Sequence, residues 1–290
     1  MTSPPRPTVA VIGAGTMGHG IAYVAALAGC AVRLTDADPA QLERGMALVE
    51  RAFATAIERG KCTPETRAAS LARLTAAPGV AAAVEGAGIV IEAVPERLDL
   101  KRRLFAAIEP HAPGDALLAS NTSSLSITAI ASALERRDRA LGLHFFNPVP
   151  AMKLLEIVRG DETSDDAVGR ARAFAAALGK EPIVVRDTPG FATSRLGVVL
   201  GLEAIRMLEQ GVASAEDIDR AMELGYNHPM GPLRLTDVVG LDVRLAIAEH
   251  LHATLHDATY APPALLREKV ARGELGKKTG QGFYRWENRP

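Results

Sequence analysis

The two residues best equipped to do chemistry in this chain are His144 and Glu156, twelve positions apart. His144 lies in an apolar run that begins at Gly142. The corner Asn147-Pro-Val-Pro150 stops that run, and Glu156 sits inside a second one, Leu154 to Val158. The order reads as strand, turn, strand. If the strands pair, the carboxylate holds one imidazole nitrogen, fixes the tautomer and stabilises the imidazolium once a proton is taken, as a general base requires. The same pair is also compatible with a structural hydrogen bond or a surface contact. What stands around it must decide.

The elements that would position the pair begin at the N-terminus. Thr8 to Ile12 is a short β-branched run that meets Gly13-Ala-Gly-Thr-Met-Gly18, and an apolar helical pattern follows to Gly29. A second apolar run, Ala31 to Leu34, leads to Asp36. This is the order of a dinucleotide-binding unit. Gly13 permits a tight turn, Gly15 lets a pyrophosphate approach the backbone, and Gly18 lets the helix pack on the strand. The helix N-terminus faces the phosphates, and Asp36 can accept from a ribose 2′-hydroxyl while repelling a 2′-phosphate, which favours NAD. Arg33, three residues before Asp36, points elsewhere in a strand.

Pro39 to Gly60 has helical spacing and ends in Arg59-Gly-Lys61, a basic terminus that either complements the helix dipole or meets an anionic substrate tail. Further strands are expected at Leu71 to Thr75, Gly88 to Val94, Ala116 to Ala119, Ala140 to Leu143, Leu154 to Val158 and Pro182 to Val185. Ligands of open α/β sheets bind beyond the carboxyl ends of strands, so Glu96, Lys101 and the small polar run Ser120 to Ser124 fall on the functional edge. That run could equally be a simple turn and helix cap. From Phe191 onward the periodicity is helical. The expected fold is therefore α/β: a Rossmann-type, mostly parallel sheet domain over 1–186, followed by a smaller all-α domain over 187–290. The closing segment Gly276 to Tyr284 reads as a flexible basic tail.

Composition narrows the class. The 290 residues carry 33 Lys and Arg against 34 Asp and Glu, a formal net charge of −1 without basic blocks, which argues against nucleic acid. The two cysteines are far apart and no metal-ligand spacing is present, so neither a disulfide framework nor a metal is expected. No apolar stretch suits a membrane span or a signal peptide, and a cytoplasmic protein is expected. The apolar positions of the helical domain would be better buried across a homodimer interface.

Eight ordered strings resemble the L-3-hydroxyacyl-CoA dehydrogenase family, especially its short-chain 3-hydroxybutyryl-CoA type. They are VIGAGTMGHGIA at 11–22, EAVPE at 92–96, SNTSSL at 120–125, GLHFFNPVPAMKLLEI at 142–157, DTPGF at 187–191, EDIDRAM at 216–222, HPMGPLRLTDVVGLD at 228–242 and GKKTGQGFY at 276–284. The resemblance implies NAD-dependent oxidation of a 3-hydroxyacyl-CoA to the 3-ketoacyl-CoA, or the reverse. It places the general base on His144, its orienting acid on Glu156 and the contact to the substrate oxygen on Ser123. Cofactor contacts fall on Gly13, Gly15, Thr16, Met17, Gly18, Asp36, Glu96, Lys101, Ser123, Asn147 and Lys278, and coenzyme A contacts on Arg59 or Lys61. Many members carry an asparagine just before Arg-Leu after DTPGF. This chain has Ser194, which also donates a hydrogen bond but reaches less far. A 3-hydroxyadipyl-CoA or other hydroxy-acid dehydrogenase, and a non-catalytic NAD-binding protein whose site has decayed at Ser194, are the competing readings.

Overall fold

The computed structural model describes residues 6–287. Strands form where the apolar runs predict them: β1 (Val9–Ile12), β2 (Val32–Thr35), β3 (Leu74–Ala76), β4 (Ile89–Glu92), β5 (Leu117–Ser120), β6 (Ala140–Phe145), β7 (Leu154–Arg159) and β8 (Glu181–Arg186). They make one sheet in the order β3-β2-β1-β4-β5-β6-β7-β8. Neighbours are parallel except β6 and β7, which are antiparallel. Every position of β1, β4 and β5 is buried, which is why these strands are apolar throughout rather than alternating.

The helices of this unit are α1 (Gly18–Leu27), α2 (Pro39–Glu58), α3 (Pro64–Leu71), α4 (Val80–Val84), α5 (Leu98–Ile108), α6 (Ile127–Ala131) and α7 (Asp165–Ala177). Successive strand residues project to opposite faces. Val9 and Val11 accordingly pack with Ile21, Phe53 and Phe174 from α1, α2 and α7, whereas Ala10 and Ile12 pack with Phe105, Ile108 and Ile130 from α5 and α6. Two helical layers thus cover the sheet. One expected boundary is corrected: Leu71 ends α3, and β3 begins only at Leu74. The Thr63 hydroxyl accepts from the Thr66 amide, and the helix started by this cap and Pro64 runs through Leu71, the residue at which the apolar pattern suggested a strand would begin.

The described residues divide into two compact units between Thr188 and Pro189. The second unit is helical: α8 (Thr193–Glu209), α9 (Ala215–Tyr226), α10 (Pro232–Val239), α11 (Leu241–Leu255) and α12 (Ala264–Ala271). Leu202, Ile205, Leu233, Leu241, Leu251 and Leu266 form its core. Pro232 in the first turn of α10 and Gly240 after its last residue are ordinary start and stop signals.

The expected flexible tail is a correction. Phe283 N and Tyr284 N donate to the two oxygens of Asp237 at 2.8 and 2.9 Å, and Trp286 Nε1 donates to the same carboxylate at 2.7 Å. The Tyr284 hydroxyl donates to Asp219 at 2.7 Å. Two carboxylates almost wholly buried in the helical unit take up the segment's donors and hold it in place. Among the described residues no helix is long and apolar enough to cross a membrane.

Candidate active site

Because β1, β2, β4, β5 and β6 run parallel, their carboxyl ends share one edge of the sheet, where ligands of such sheets bind. The loop Gly13 to Gly18 follows β1, Asp36 follows β2, Glu96 follows β4, Asn121 to Ser124 follow β5, and His144 is the penultimate residue of β6. These residues of the first unit therefore share one sheet edge by topology, whereas Arg59 and Lys61 lie past the end of α2.

The glycine loop has the shape a pyrophosphate needs. Gly13 adopts φ +102°, and a Cβ there would lie 2.6 Å from the Ala93 carbonyl oxygen. A Cβ on Gly18 would lie 1.7 Å from the Gly13 oxygen, whereas one on Gly15 would meet nothing within 4 Å. The loop is thus sealed toward the sheet and open on its outer side, where Thr16 is exposed and Met17 half-buried. No side chain caps α1 at Met17, and the positive end of the helix adjoins the open side of the loop, which suits an anion. Asp36 accepts from Ala14 N at 2.8 Å and from Asp38 N at 3.0 Å. Each carboxylate oxygen keeps a second lone pair for a hydroxyl. Arg33 is spent on the carbonyls of Ala82, Ala83 and Glu85 at the end of α4, so it offers nothing to a 2′-phosphate. These residues fit NAD.

Glu96 organises the strand-end loop after β5. Its Oε1 accepts from the Thr122 hydroxyl at 2.5 Å, from Ser123 N at 3.0 Å and from Ser124 N at 3.3 Å. Its Oε2 lies 3.3 Å from the Lys101 ammonium. Burial alone would push this carboxyl up. The Lys101 charge, then the Thr122 hydroxyl and the Ser123 amide, outweigh it and hold the group below the usual carboxylate range. Lys101 is 1 % exposed, and its ammonium donates to Glu92 Oε1 at 2.6 Å and to the Val94 carbonyl at 3.3 Å. Asn121 Oδ1 accepts from Phe145 N at 2.9 Å and so ties this loop to the residue after His144.

His144 and Glu156 face each other directly in the antiparallel register of β6 and β7. His144 Nδ1 is 2.6 Å from Glu156 Oε2, with the histidine 6 % exposed and the glutamate 0 %. A carboxylate can only accept, so the contact puts the imidazole proton on Nδ1 and the lone pair on Nε2. The Phe146 ring leans on the imidazole at 4.3 Å between centroids. The corner beyond carries exposed Asn147, and Lys180 pins it by donating to the carbonyls of Val149 and Met152 at 2.5 and 2.6 Å.

Arg59 and Lys61 line a cavity of about 670 Å³ between α1, α2, the corner after β6 and the start of β8. Its wall also carries His19, Arg51 and Lys153 and no carboxylate side chain, so the cavity suits a large anionic group. Ser194 and Lys278 belong to the helical unit. Ser194 is in the first turn of α8, and Lys278 donates to both oxygens of Asp242 at 2.6 Å.

Comparison with known proteins gives the arrangement its relatives. Residues 8–188 match the family model for the NAD-binding domain of 3-hydroxyacyl-CoA dehydrogenase, and residues 190–286 match the model for its C-terminal domain. The chain belongs to the 3-hydroxyacyl-CoA dehydrogenase family. It is 44% identical over 281 residues to a probable 3-hydroxybutyryl-CoA dehydrogenase of Bacillus subtilis, covering 97% of this chain and 98% of that one. It is 42% identical to a 3-hydroxyadipyl-CoA dehydrogenase of Escherichia coli, covering 96% of this chain and 59% of that longer protein. The crystal structure of (S)-3-hydroxybutyryl-CoA dehydrogenase from Ralstonia eutropha superposes with a TM-score of 0.93 at 42% identity, covering 98% of this chain and all of that one. As a member of this family the protein is an NAD-dependent oxidoreductase acting on a CH–OH group.

Sequence reasoning missed several residues that shape this dehydrogenase site: Glu92, Asn121 and Lys180. Glu92 was detectable as a carboxylate inside an otherwise apolar strand, because a fully buried charge is rare unless paired. Asn121 and Lys180 act through carbonyls and amides distant in sequence, and nothing local marks them.

Proposed function

We propose that this dehydrogenase interconverts a short-chain L-3-hydroxyacyl-CoA, 3-hydroxybutyryl-CoA above all, with its 3-ketoacyl-CoA, using His144 as the base. The observation that carries the reading is the buried contact between His144 and Glu156, set on the sheet edge that also bears the glycine loop. Bound NAD supplies the hydride acceptor. His144 Nε2 takes the proton of the 3-hydroxyl, and Glu156 stabilises the imidazolium that forms. Ser123 and Ser194 orient the substrate oxygen. Gly13, Gly15, Thr16, Met17 and Gly18 receive the pyrophosphate, Asp36 the ribose, and Glu96, Asn147 and Lys278 the rest of the cofactor. Arg59 and Lys61 take the phosphates of coenzyme A, a placement supported by the further basic residues Arg51 and Lys153 in the wall of their cavity and by the lack of a carboxylate side chain there.

The helical unit is the homodimerisation surface in this reading. Leu196, Leu224 and Tyr226 are each more than two-thirds exposed there, and Val239 and Val243 join them at about 41%. Such apolar exposure fits an interface between copies of the chain. A cytoplasmic location accords with the composition.

The reading is tested by following NADH with 3-ketoacyl-CoA substrates from C4 to C16 and with 3-ketoadipyl-CoA. A maximum in kcat/KM at C4 is expected. A maximum at the six-carbon dicarboxylate would transfer the assignment to adipyl chemistry, and bound NAD(H) without turnover at any length would leave a binding protein with a decayed site.

A further inference from the structure

Arg244 of α11 is only 5 % exposed, and no charge stands opposite its own. Of its three nitrogens, Nε is enclosed without a hydrogen-bond partner. Burial acts on the guanidinium without a counter-charge and pushes it down to about 10, so that it is still charged at neutral pH. A neighbouring carboxylate would act in the opposite direction. The buried carboxylates of the unit are committed elsewhere: Asp219 accepts from Leu233 N, Arg234 N and the Tyr284 hydroxyl, and Asp237 from Phe283 N, Tyr284 N and Trp286 Nε1. Asp242, two residues before Arg244, accepts from Lys278. An arginine is almost never buried without a partner, because an isolated charge loses its hydration with nothing to replace it.

The guanidinium is housed against α8. A Cβ on Gly197 would lie 3.5 Å from its Nη1, and a Cβ on Gly201 would lie 3.3 Å from its Nε and 3.2 Å from the Thr236 hydroxyl oxygen of α10. Glycine inside a helix is less stable than alanine. Here two of them, one turn apart, open the space that the arginine fills. Ser194 is on the same side of the helix, since 194, 197 and 201 are separated by three and four residues, the spacing of neighbours along one helical face. The serine assigned to the substrate oxygen and the unanswered arginine thus border one face of α8.

We propose that Arg244 receives a carboxylate at the far end of the acyl chain, which gives the enzyme a second substrate class beside the short-chain one: a 3-hydroxydicarboxylyl-CoA, six carbons long above all. This rests on Ser194 addressing the substrate oxygen. Gly197 and Gly201 lie about 4.5 and 10.5 Å along the α8 axis from Ser194. Three carbon–carbon bonds separate C3 of a six-carbon chain from the terminal carboxyl carbon, a span of about 4 Å. A charge-assisted hydrogen bond extends the reach to about 7 Å, which falls between the two glycines. The planar guanidinium suits a carboxylate, which it can meet with two parallel N–H groups. A four-carbon chain ends one carbon beyond the reacting centre and does not extend to the arginine.

The test follows NADH oxidation by the full-length enzyme with acetoacetyl-CoA, 3-ketohexanoyl-CoA and 3-ketoadipyl-CoA. The two six-carbon substrates differ only in a methyl or a carboxylate end, so their ratio isolates the tail. In the parent, acetoacetyl-CoA remains the best substrate, and kcat/KM for 3-ketoadipyl-CoA is expected to exceed that for 3-ketohexanoyl-CoA by about tenfold or more. Arg244→Met keeps the bulk and removes the charge. It is expected to lower kcat/KM for 3-ketoadipyl-CoA by about 10–100-fold, as the loss of a charged hydrogen-bonded contact does, and to leave the other two substrates within about threefold. Its Tm is expected to equal or exceed that of the parent, because an unpaired buried charge is removed. Arg244→Lys keeps the charge without the planar fork and should retain part of the preference.

A parent enzyme that turns over acetoacetyl-CoA but handles the two six-carbon substrates alike overturns the proposal and leaves the short-chain reading standing. An unchanged ratio of the six-carbon substrates in Arg244→Met overturns it as well, as does an equal loss on all three substrates with a lower Tm, which makes the arginine structural. Normal kcat for Ser194→Ala with acetoacetyl-CoA takes Ser194 away from the substrate oxygen and removes the path from that oxygen to Arg244. Absence of turnover with all three substrates in the parent overturns both readings.

Discussion

His144 Nδ1 and Glu156 Oε2 lie 2.6 Å apart as direct cross-strand partners, so the orientation of the imidazole is set by the register of a sheet rather than by a mobile loop. A one-residue slip between β6 and β7 would send one of the two side chains to the opposite face and destroy the pair. Rigid strands are a good foundation for a base whose position must be held to within a fraction of an ångström.

Replacing His144 by alanine is expected to lower kcat by roughly 10²–10⁴-fold while NADH still binds, the usual contribution of a positioned proton acceptor. Glu156→Gln keeps the shape but cannot stabilise the cation, and a loss of about 10²-fold or more is expected by analogy with other acid-supported histidines. Single-turnover rates with acetoacetyl-CoA check both. Normal turnover in the alanine variant would remove His144 from the role of base.

Asp36 holds the glycine loop through Ala14 N and presents its remaining lone pairs to the ribose. Asp36→Ala is expected to weaken NAD by about tenfold or more, the magnitude of a charged hydrogen bond, and to narrow the preference for NAD over NADP. Fluorescence titration with both cofactors reads the two effects separately. An unchanged preference would mean that discrimination lies elsewhere.

Glu96 gives a pH dependence with a definite sign. Its carboxyl is held below the usual range in the folded protein, so its contribution to stability is complete above the unfolded value of about 4.3 and disappears as pH falls through the lower folded value. The difference in Tm between the parent and Glu96→Gln should stay constant from pH 8 down to about 5 and shrink only below that, following the unfolded carboxylate. A difference that already shrinks near pH 7 would contradict the depressed value.

Asp237 supports the C-terminal segment of the helical unit through Phe283, Tyr284 and Trp286. Asp237→Ala strands three donors, and a loss of about 3 kcal/mol is expected. Limited proteolysis should then cut within residues 276–286 before the rest of the unit. Equal resistance in the two proteins would show that the carboxylate is not what holds the segment.

The sequence by itself determined the strands of the first unit and the glycine loop, and it singled out His144 and Glu156 as a pair on the condition that their two strands associate. These are local signals: β-branched runs, a glycine spacing whose sterics admit few conformations, and two apolar runs joined by a corner too short to do anything but return. Membership of the family was legible for the same reason, since eight ordered strings survive intact. The sequence misjudged the segment 276–284, whose lysines and glycines look solvated until two buried carboxylates on α9 and α10 claim its amides and its tyrosine. Only the tertiary structure decided that Lys101 is buried between Glu92 and Glu96, that Asn121 ties the serine loop to β6, and that Lys180 pins the corner beyond His144. Asn121 and Lys180 act on partners distant in sequence that the fold brings close, and a buried hydrogen bond leaves no periodicity from which it could be read.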